Sequence, residues 1–192
     1  MGNHQEAIAP LQESLALARQ VEDGNEIGFA VWQLGRAAMS RGDYKVASDL
    51  MEESLAIYRE LKLLGGVTFL LADLSRAALE QGDDARAVSY CKEALGLYWQ
   101  RGIQRNFAEG LEQLGSATMY KQPEYAAQLF GAAAALRLSS NSDLFPYEQE
   151  DYDRNIEYLH SRLDENTFVR CWNEGQAMNV KQVIENALAG NP

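Results

Sequence analysis

Hydrophobic side chains recur along this chain with a helical period. Phe29, Trp32, Leu34, Ala38 and Met39 follow this period, and after a break at Gly42-Asp43 it returns from Val46 to Tyr58. Spacings of three and four residues place side chains on one face of an α-helix. Glycine accepts the left-handed conformation that ends a helix, and aspartate can cap the next one. The pattern therefore predicts two antiparallel helices joined by a tight turn.

The same pattern returns every 40 residues. The turn glycines keep this spacing at positions 2, 42 and 82, and so do the segments that begin at Leu34, Leu74 and Leu114. A fixed period of this size is typical of stacked repeats, in which each unit buries its apolar face against its neighbours. The sequence predicts an all-α fold, an α-solenoid of antiparallel helix pairs with a period of about 40 residues.

Several residues of each repeat resemble the tetratricopeptide pattern. They are Leu34-Gly35 in the first helix, Gly42-Asp43-Tyr44 at the turn, and Ala47 with Ser54-Leu55 in the second helix. The resemblance covers roughly residues 2–137 and implies a concave groove lined by the first helices. The period exceeds the usual value of about 34 residues. We assign the additional length to the inter-repeat stretches 22–26, 62–66 and 102–106.

The repeat register gives the domain organisation. Residues 1–138 are assigned to the repeats and residues 139–192 to a helical C-terminal cap within the same domain. Gly2 aligns with the turns of later repeats, so the first repeat is expected to be truncated and to begin with its second helix. Two interpretations stay open: a piece of a longer protein, and a short stand-alone protein with a lone N-terminal helix.

The C-terminal segments resemble the end of large bacterial regulators, the LuxR-type and other signal-transducing ATPases with tetratricopeptide-like repeats. The resemblance rests on the order Ala126–Ala133, Phe145-Pro146, Tyr152, Trp172–Met178 and Ala187-Leu188. It implies a sensor or scaffold region of a transcriptional regulator. ATP binding and DNA reading would belong to other domains, because these 192 residues contain neither a phosphate-loop motif nor a basic recognition helix.

The net charge and the positions of the cysteines exclude some classes of partner and of site. The 28 acidic and 17 basic side chains give a net charge of −11, which disfavours direct binding to nucleic acid. No run of about 18 apolar residues predicts a membrane span. Cys91 and Cys171 lie far apart without a Cys-x-x-Cys motif, so neither a disulfide framework nor a thiolate metal site is indicated. We expect a cytoplasmic protein with no cofactor.

No short motif brings together the groups that an enzyme needs. His4 and His160 are isolated, and Glu109 and Glu112 lie three residues apart, as on a solvated helix face. The expectation is therefore a non-catalytic protein with no metal site.

The predicted groove supplies the candidate binding residues. Aromatic and arginine side chains are common anchors of binding surfaces. The predicted partner is a protein, a peptide or a small effector. Projection of the family's inward positions selects Phe29, Trp32, Arg36, Ser40, Phe69, Arg76, Glu80, Glu109, Glu112, Ser116 and Tyr120.

Alternatives accompany these assignments. Phe29 and Phe69 could pack between repeats, and Arg36 and Arg76 could pair only with local acids such as Asp73. At the level of function, the effector-sensing module of a switch-ATPase regulator competes with a stand-alone scaffold or adaptor. Self-association as a homodimer is a third class, which sedimentation over a dilution series separates from the other two.

Overall fold

The computed structural model describes residues 8–103, 106–144 and 146–189. Within these ranges the chain forms ten α-helices and no strand. The predicted all-α solenoid of antiparallel helix pairs is therefore confirmed. The helices are α1 (Ile8–Gln20), α2 (Gly24–Ser40), α3 (Tyr44–Glu60), α4 (Leu64–Glu80), α5 (Asp84–Arg101), α6 (Phe107–Thr118), α7 (Pro123–Ser140), α8 (Pro146–Arg162), α9 (Glu165–Ala177) and α10 (Val180–Ala189).

The chain divides into two compact units. Unit 1 comprises Met1–Tyr90 and unit 2 comprises Cys91–Pro192, so the boundary falls within α5. The predicted division at residue 138 stays a prediction. Gly2, whose alignment carries the expectation of a truncated first repeat, lies outside the described residues. No helix in the described ranges is long and apolar enough to cross a membrane.

In unit 1, successive helices pack against one another because small residues let their backbones approach. A Cβ atom added at Gly28 or Gly66 would lie 2.5 Å or 2.1 Å from the ring of Tyr58, which is itself buried. The Ser54 hydroxyl donates a hydrogen bond of 2.7 Å to the carbonyl oxygen of Gly28. Glycine and serine thus fix the distance between α2 and α3.

The turns between these helices recur every 20 residues. A left-handed residue ends each helix, with φ of 55° at Glu22, 79° at Gly42, 58° at Lys62, 74° at Gly82 and 65° at Gly102. In each turn the amide of the next residue bonds the carbonyl five residues earlier, as Asp43 does to Ala38 at 3.0 Å. The 40-residue repeat is therefore two helices of similar length joined by equal turns.

The assignment of the additional length to the stretches 22–26 and 62–66 stays a prediction. In both stretches a short turn is followed directly by a 17-residue helix, α2 from Gly24 and α4 from Leu64. Residues 104 and 105 of the third stretch lie outside the described residues. Asp43 does not cap α3, since its carboxylate accepts from Arg41 Nε at 3.1 Å instead. Asp83 does accept from the backbone amide of Arg86, at 3.1 Å.

In unit 2, α7 is the central helix, and it packs against both α6 and α9. Its contact with α9 is very close, because Gly131 faces the carbonyl of Trp172 and Gly175 faces the carbonyl of Gln128. The helices α8, α9 and α10 lie in the segment 139–192, which was predicted to be helical. A buried cluster that includes Phe130, Leu159 and Cys171 joins α7, α8 and α9.

Candidate partner-binding surface

Five of the predicted groove residues come together in unit 1, on the first helices of two successive repeats. We call this surface the α2–α4 strip: Phe29, Trp32 and Arg36 on α2 with Phe69 and Arg76 on α4. Residues spaced by three, four or seven positions lie on the same face of a helix. The helical period therefore brings these side chains to one surface.

Trp32 is the centre of an aromatic group on this strip. Its ring stacks on Phe69 at a centroid distance of 6.2 Å and an interplanar angle of 24°. Phe29 meets it edge-on at 6.4 Å. Both phenylalanines stay exposed, by 45% for Phe29 and 58% for Phe69. Exposed aromatic rings held by a neighbour offer contact area at a small entropy cost, as binding surfaces require.

Asp73 organises the charges beside these rings. Its carboxylate, with a side chain only 15% exposed, accepts a 2.8 Å hydrogen bond from the indole Nε1 of Trp32. The same carboxylate pairs with Arg76 at 3.3 Å and with Arg36 at 3.8 Å. The guanidinium of Arg36 also lies 5.9 Å from the centre of the Trp32 ring, within cation–π range. One carboxylate therefore holds two arginines and the indole in place.

The two arginines keep about half of their surface open to solvent. Their side chains are 44% exposed for Arg36 and 56% for Arg76. A guanidinium has five N–H donors, so a single shared carboxylate leaves donors for a further acceptor. The pairing with Asp73 is the one that the alternative expected, and it is compatible with further binding; a role of these arginines in partner binding stays a prediction.

An open cleft of about 280 Å³ adjoins the arginines. Its lining includes Arg36 and Arg76 from the strip. Within the cleft, the negative charge of Glu80 is the main cause that raises the pKa of Tyr44. The cleft therefore presents cationic groups, a carboxylate and a phenol to one ligand. The lining residues are Arg36, Met39, Ser40, Tyr44, Arg76 and Glu80.

Four other predicted residues lie in unit 2, on what we call the α6 strip: Glu109, Glu112 and Ser116 with Tyr120 in the following turn. Glu112 forms a two-pronged ion pair with Arg137 of α7, with distances of 2.7 Å and 2.6 Å, and both side chains are largely buried. Glu109 accepts bonds from Asn106 and Gln113 at 3.2 Å and 3.1 Å. A role of these acids in partner binding stays a prediction.

Helix α8 lies on the α6 strip. Asn155 donates a 2.7 Å hydrogen bond to the hydroxyl of Ser116, and the ring of Tyr158 packs 4.9 Å from Tyr120. Leu159 is fully buried one residue further on. In unit 2, the surface predicted to bind a partner thus contacts a helix of the same chain.

Residues 1–60 match the family model described as a tetratricopeptide repeat. A comparison with curated proteins gives no match. The match covers α1, α2 and α3, the segment in which the 40-residue register begins. It supports a tetratricopeptide-repeat region, and such repeats are typical of protein-interaction modules.

Sequence reasoning missed three residues of the tetratricopeptide-like surface. Asp73 was considered only as a local acid, although its place one turn before Arg76 indicates that it can hold that arginine. Tyr44 was taken as a turn residue. Asn155 had a detectable signal, since it lies beside the Tyr152, Ile156 and Leu159 stripe of α8, but its contact with Ser116 depends on tertiary structure.

The described residues contain no group of three His, Cys, Asp or Glu side chains placed to hold a metal ion. His160 packs on the ring of Phe168 at 3.9 Å and lies 3.4 Å from Glu165. Both cysteines are buried, and burial is the main cause that raises the pKa of Cys171. The expectation that this is not an enzyme stays a prediction.

Proposed function

We propose that this chain is a non-catalytic protein-interaction and effector-sensing module, the C-terminal tetratricopeptide region of a bacterial transcriptional regulator of the switch-ATPase type. It acts in the cytoplasm and binds its protein partner on the α2–α4 strip. The observation that carries the proposal is the pair Arg36 and Arg76, held by Asp73 beside two exposed phenylalanines. The regulator context rests on the resemblance of the C-terminal segments.

The partner contributes a carboxylate to the two arginines and an apolar side chain to Phe29 and Phe69. An arginine fork binds a carboxylate through two parallel hydrogen bonds, which fixes orientation as well as adding affinity. The aromatic rings supply the apolar contact that surrounds such a bond and excludes water from it. In a switch ATPase, binding here biases the equilibrium between two states only if the contacts differ between them.

A site-specific photo-crosslinker tests the binding surface in cells that make the protein. It replaces Phe69 in one variant and Leu138, an 85% exposed residue of unit 2, in a matched control. We expect a crosslinked partner from position 69 that disappears when Arg36 and Arg76 are both changed to Ala. The same products from both positions, or a product unaffected by the double change, would refute the assignment.

The size of the native polypeptide separates the regulator from a stand-alone scaffold. An antibody against this segment is used on extracts of the producing cells. A band several times heavier than 21.4 kDa supports the regulator. A band near 21.4 kDa contradicts it and favours the scaffold.

A further inference from the structure

The repeat register makes α8 a guide to what the α2–α4 strip binds. Subtracting 40 from position 116 gives Arg76, and subtracting 80 gives Arg36. The same subtraction from Tyr120 gives Glu80 and Ser40, two lining residues of the open cleft. The residues that contact α8 in unit 2 are thus the repeat equivalents of the arginines and cleft residues in unit 1.

Helix α8 packs its apolar side chains against a buried cluster that includes residues of α7 and α9, and it contacts the α6 strip through Asn155 and Tyr158. Between residues 149 and 162, its buried and half-buried side chains are Tyr152, Asn155, Ile156, Tyr158 and Leu159. Tyr152 packs edge-on against Phe130 at 5.7 Å, and Asn155 bonds Ser116. The opposite face carries exposed charges such as Asp153 and Glu157. An amphipathic acidic helix thus contacts, through Asn155 and Tyr158, the repeat equivalents of Arg76 and Glu80.

The α2–α4 strip differs from the α6 strip in charge at one decisive position. Where Ser116 accepts a bond from the neutral Asn155, the equivalents in unit 1 are cationic arginines with open donors. A cation selects a carboxylate at that position, because a charge-assisted bond is about twice as strong as a neutral one. Exposed Phe69 takes the place of Glu109 and adds an apolar contact.

Resting on the function proposed above, we infer that the partner binds the α2–α4 strip as an amphipathic helix, with an aspartate or glutamate at the position that Asn155 holds in α8. The carboxylate bonds Arg36 and Arg76, and the apolar face of the helix covers Phe69 and Phe29. Asp73 is a positioning residue that orients both guanidiniums.

A helical peptide supplies the test. The probe is the 17-residue segment of α8, Pro146–Arg162, with Arg154→Lys linked through a lactam to Glu150, because both positions are exposed and one turn apart. The lactam holds the helix, since a free peptide of this length is marginally helical in water. Three versions carry the parental Asn155, Asn155→Asp or Asn155→Lys.

Binding is followed on the full chain by the indole N–H signals of its three tryptophans. Trp32 reports on the α2–α4 strip and Trp172 on unit 2, and Trp32→Phe assigns the first signal. We expect the Asn155→Asp peptide to shift the Trp32 signal and to bind about tenfold more tightly than the parental peptide. The Asn155→Lys peptide should bind more weakly than both.

Changing Arg36 and Arg76 to Ala should remove the preference for aspartate. The matched control changes Arg19 and Lys45 to Ala, which removes the same charge from exposed positions elsewhere in unit 1. Equal binding of the Asp and Lys peptides, or an equal loss in the control, would overturn the inference. A shift of Trp172 alone would also overturn it, since the peptide would then be replacing α8 in unit 2.

Two further outcomes separate the possible failures. If the crosslink at position 69 depends on the arginines but no peptide shifts Trp32, the helical partner is wrong and the proposed function stands. If the peptides bind as expected but no crosslink forms, the proposed function fails instead. A sedimentation mass that rises with concentration and falls after loss of both arginines would assign the strip to a second copy of the chain, and would overturn a separate partner.

Discussion

The α2–α4 strip and the α6 strip occupy the same register of the repeat, yet their surroundings differ. On the first, Phe29 and Phe69 are exposed and two arginines share Asp73. On the second, Glu112 is paired with Arg137, and Ser116 bonds a helix from the C-terminal segment. Repeat position alone therefore does not define a binding site. A binding site also depends on which chemical groups stay exposed to solvent at that position.

The largest loss of stability is expected when the close packing of α9 on α7 is disrupted. Gly131→Ala or Gly175→Ala would place a Cβ atom 2.2 Å or 2.0 Å from a backbone carbonyl oxygen, which cannot move without separating α7 from α9. We expect a loss of more than about 3 kcal/mol in the free energy of unfolding.

Gly65→Ala is the matched control for this test, because a Cβ there meets nothing within 4 Å and Gly65 is helical. It should leave stability unchanged or raise it by up to about 1 kcal/mol. Thermal melts followed by circular dichroism give both values. Equal melting temperatures for Gly131→Ala and Gly65→Ala would contradict the close packing.

Loss of Arg137 should affect the α6 strip next most strongly. Arg137→Ala leaves the largely buried carboxylate of Glu112 without its two-pronged partner, and we expect a cost of about 2 kcal/mol. The double variant Arg137→Ala with Glu112→Ala should regain part of that cost. Chemical denaturation measures the coupling, and strictly additive effects would contradict it.

Two substitutions at the turns are expected to change the free energy of unfolding in opposite directions. Gly42→Ala meets no side chain, but its φ of 79° is unfavourable for alanine, so we expect a loss of about 1 kcal/mol. Lys62→Gly at a φ of 58° should relieve the same kind of strain and gain about 0.5 kcal/mol. A stabilising Gly42→Ala would show that the left-handed turn is not retained. Equilibrium urea denaturation resolves both changes.

The pH dependence of stability at alkaline pH tests the burial of the Tyr125 phenol in unit 2. Burial raises the pKa of Tyr125 to about 12, and its hydroxyl has no hydrogen-bond partner among the residues that the structure describes. The folded state holds the proton of the Tyr125 hydroxyl more strongly than the unfolded state does. The resulting contribution to the free energy of unfolding is therefore present below pH 10 and is lost as the pH rises from about 10 to 12. Tyr125→Phe should make stability fall less steeply over that interval. An unchanged pH slope would contradict this.

Substitution of the arginines proposed for binding is expected to have the smallest effect on stability. Replacing Arg36 and Arg76 with Ala should change the free energy of unfolding by no more than about 1 kcal/mol, because both side chains are half exposed. A thermal melt suffices. A large loss would assign these arginines to the framework of unit 1 and weaken the case for binding.

The repeat fold could be predicted because its signals are local. Glycines at 42 and 82 supply left-handed turns, and apolar residues at helical spacing supply the packed faces. The turns at Glu22 and Lys62 were missed, because their residue types do not favour a positive φ and tertiary packing imposes it. Only the structure shows that the turns at Glu22 and Lys62 have the same left-handed conformation as the glycine turns.

The candidate site was predictable in part. Spacing alone placed Arg36 and Arg76 in one row, but only tertiary contacts show that Asp73 holds both, because α2 and α4 must pack first. The position of α8 on Ser116 could not be predicted either, since the C-terminal segment leaves the repeat register. Identical repeat positions then receive different neighbours.

The equal turns have a consequence for how such a chain can change its length. Asp23 and Leu63 end their turns with the same backbone bond, to the carbonyl five residues earlier, and a 17-residue helix follows each of them. Removing residues 24–63 would join Asp23 to Leu64 without disturbing a turn or rotating the next helix face. Duplication of the same 40 residues would add one more copy of that face. The repeat is therefore an interchangeable cassette, and gene duplication can extend the surface without redesigning a junction.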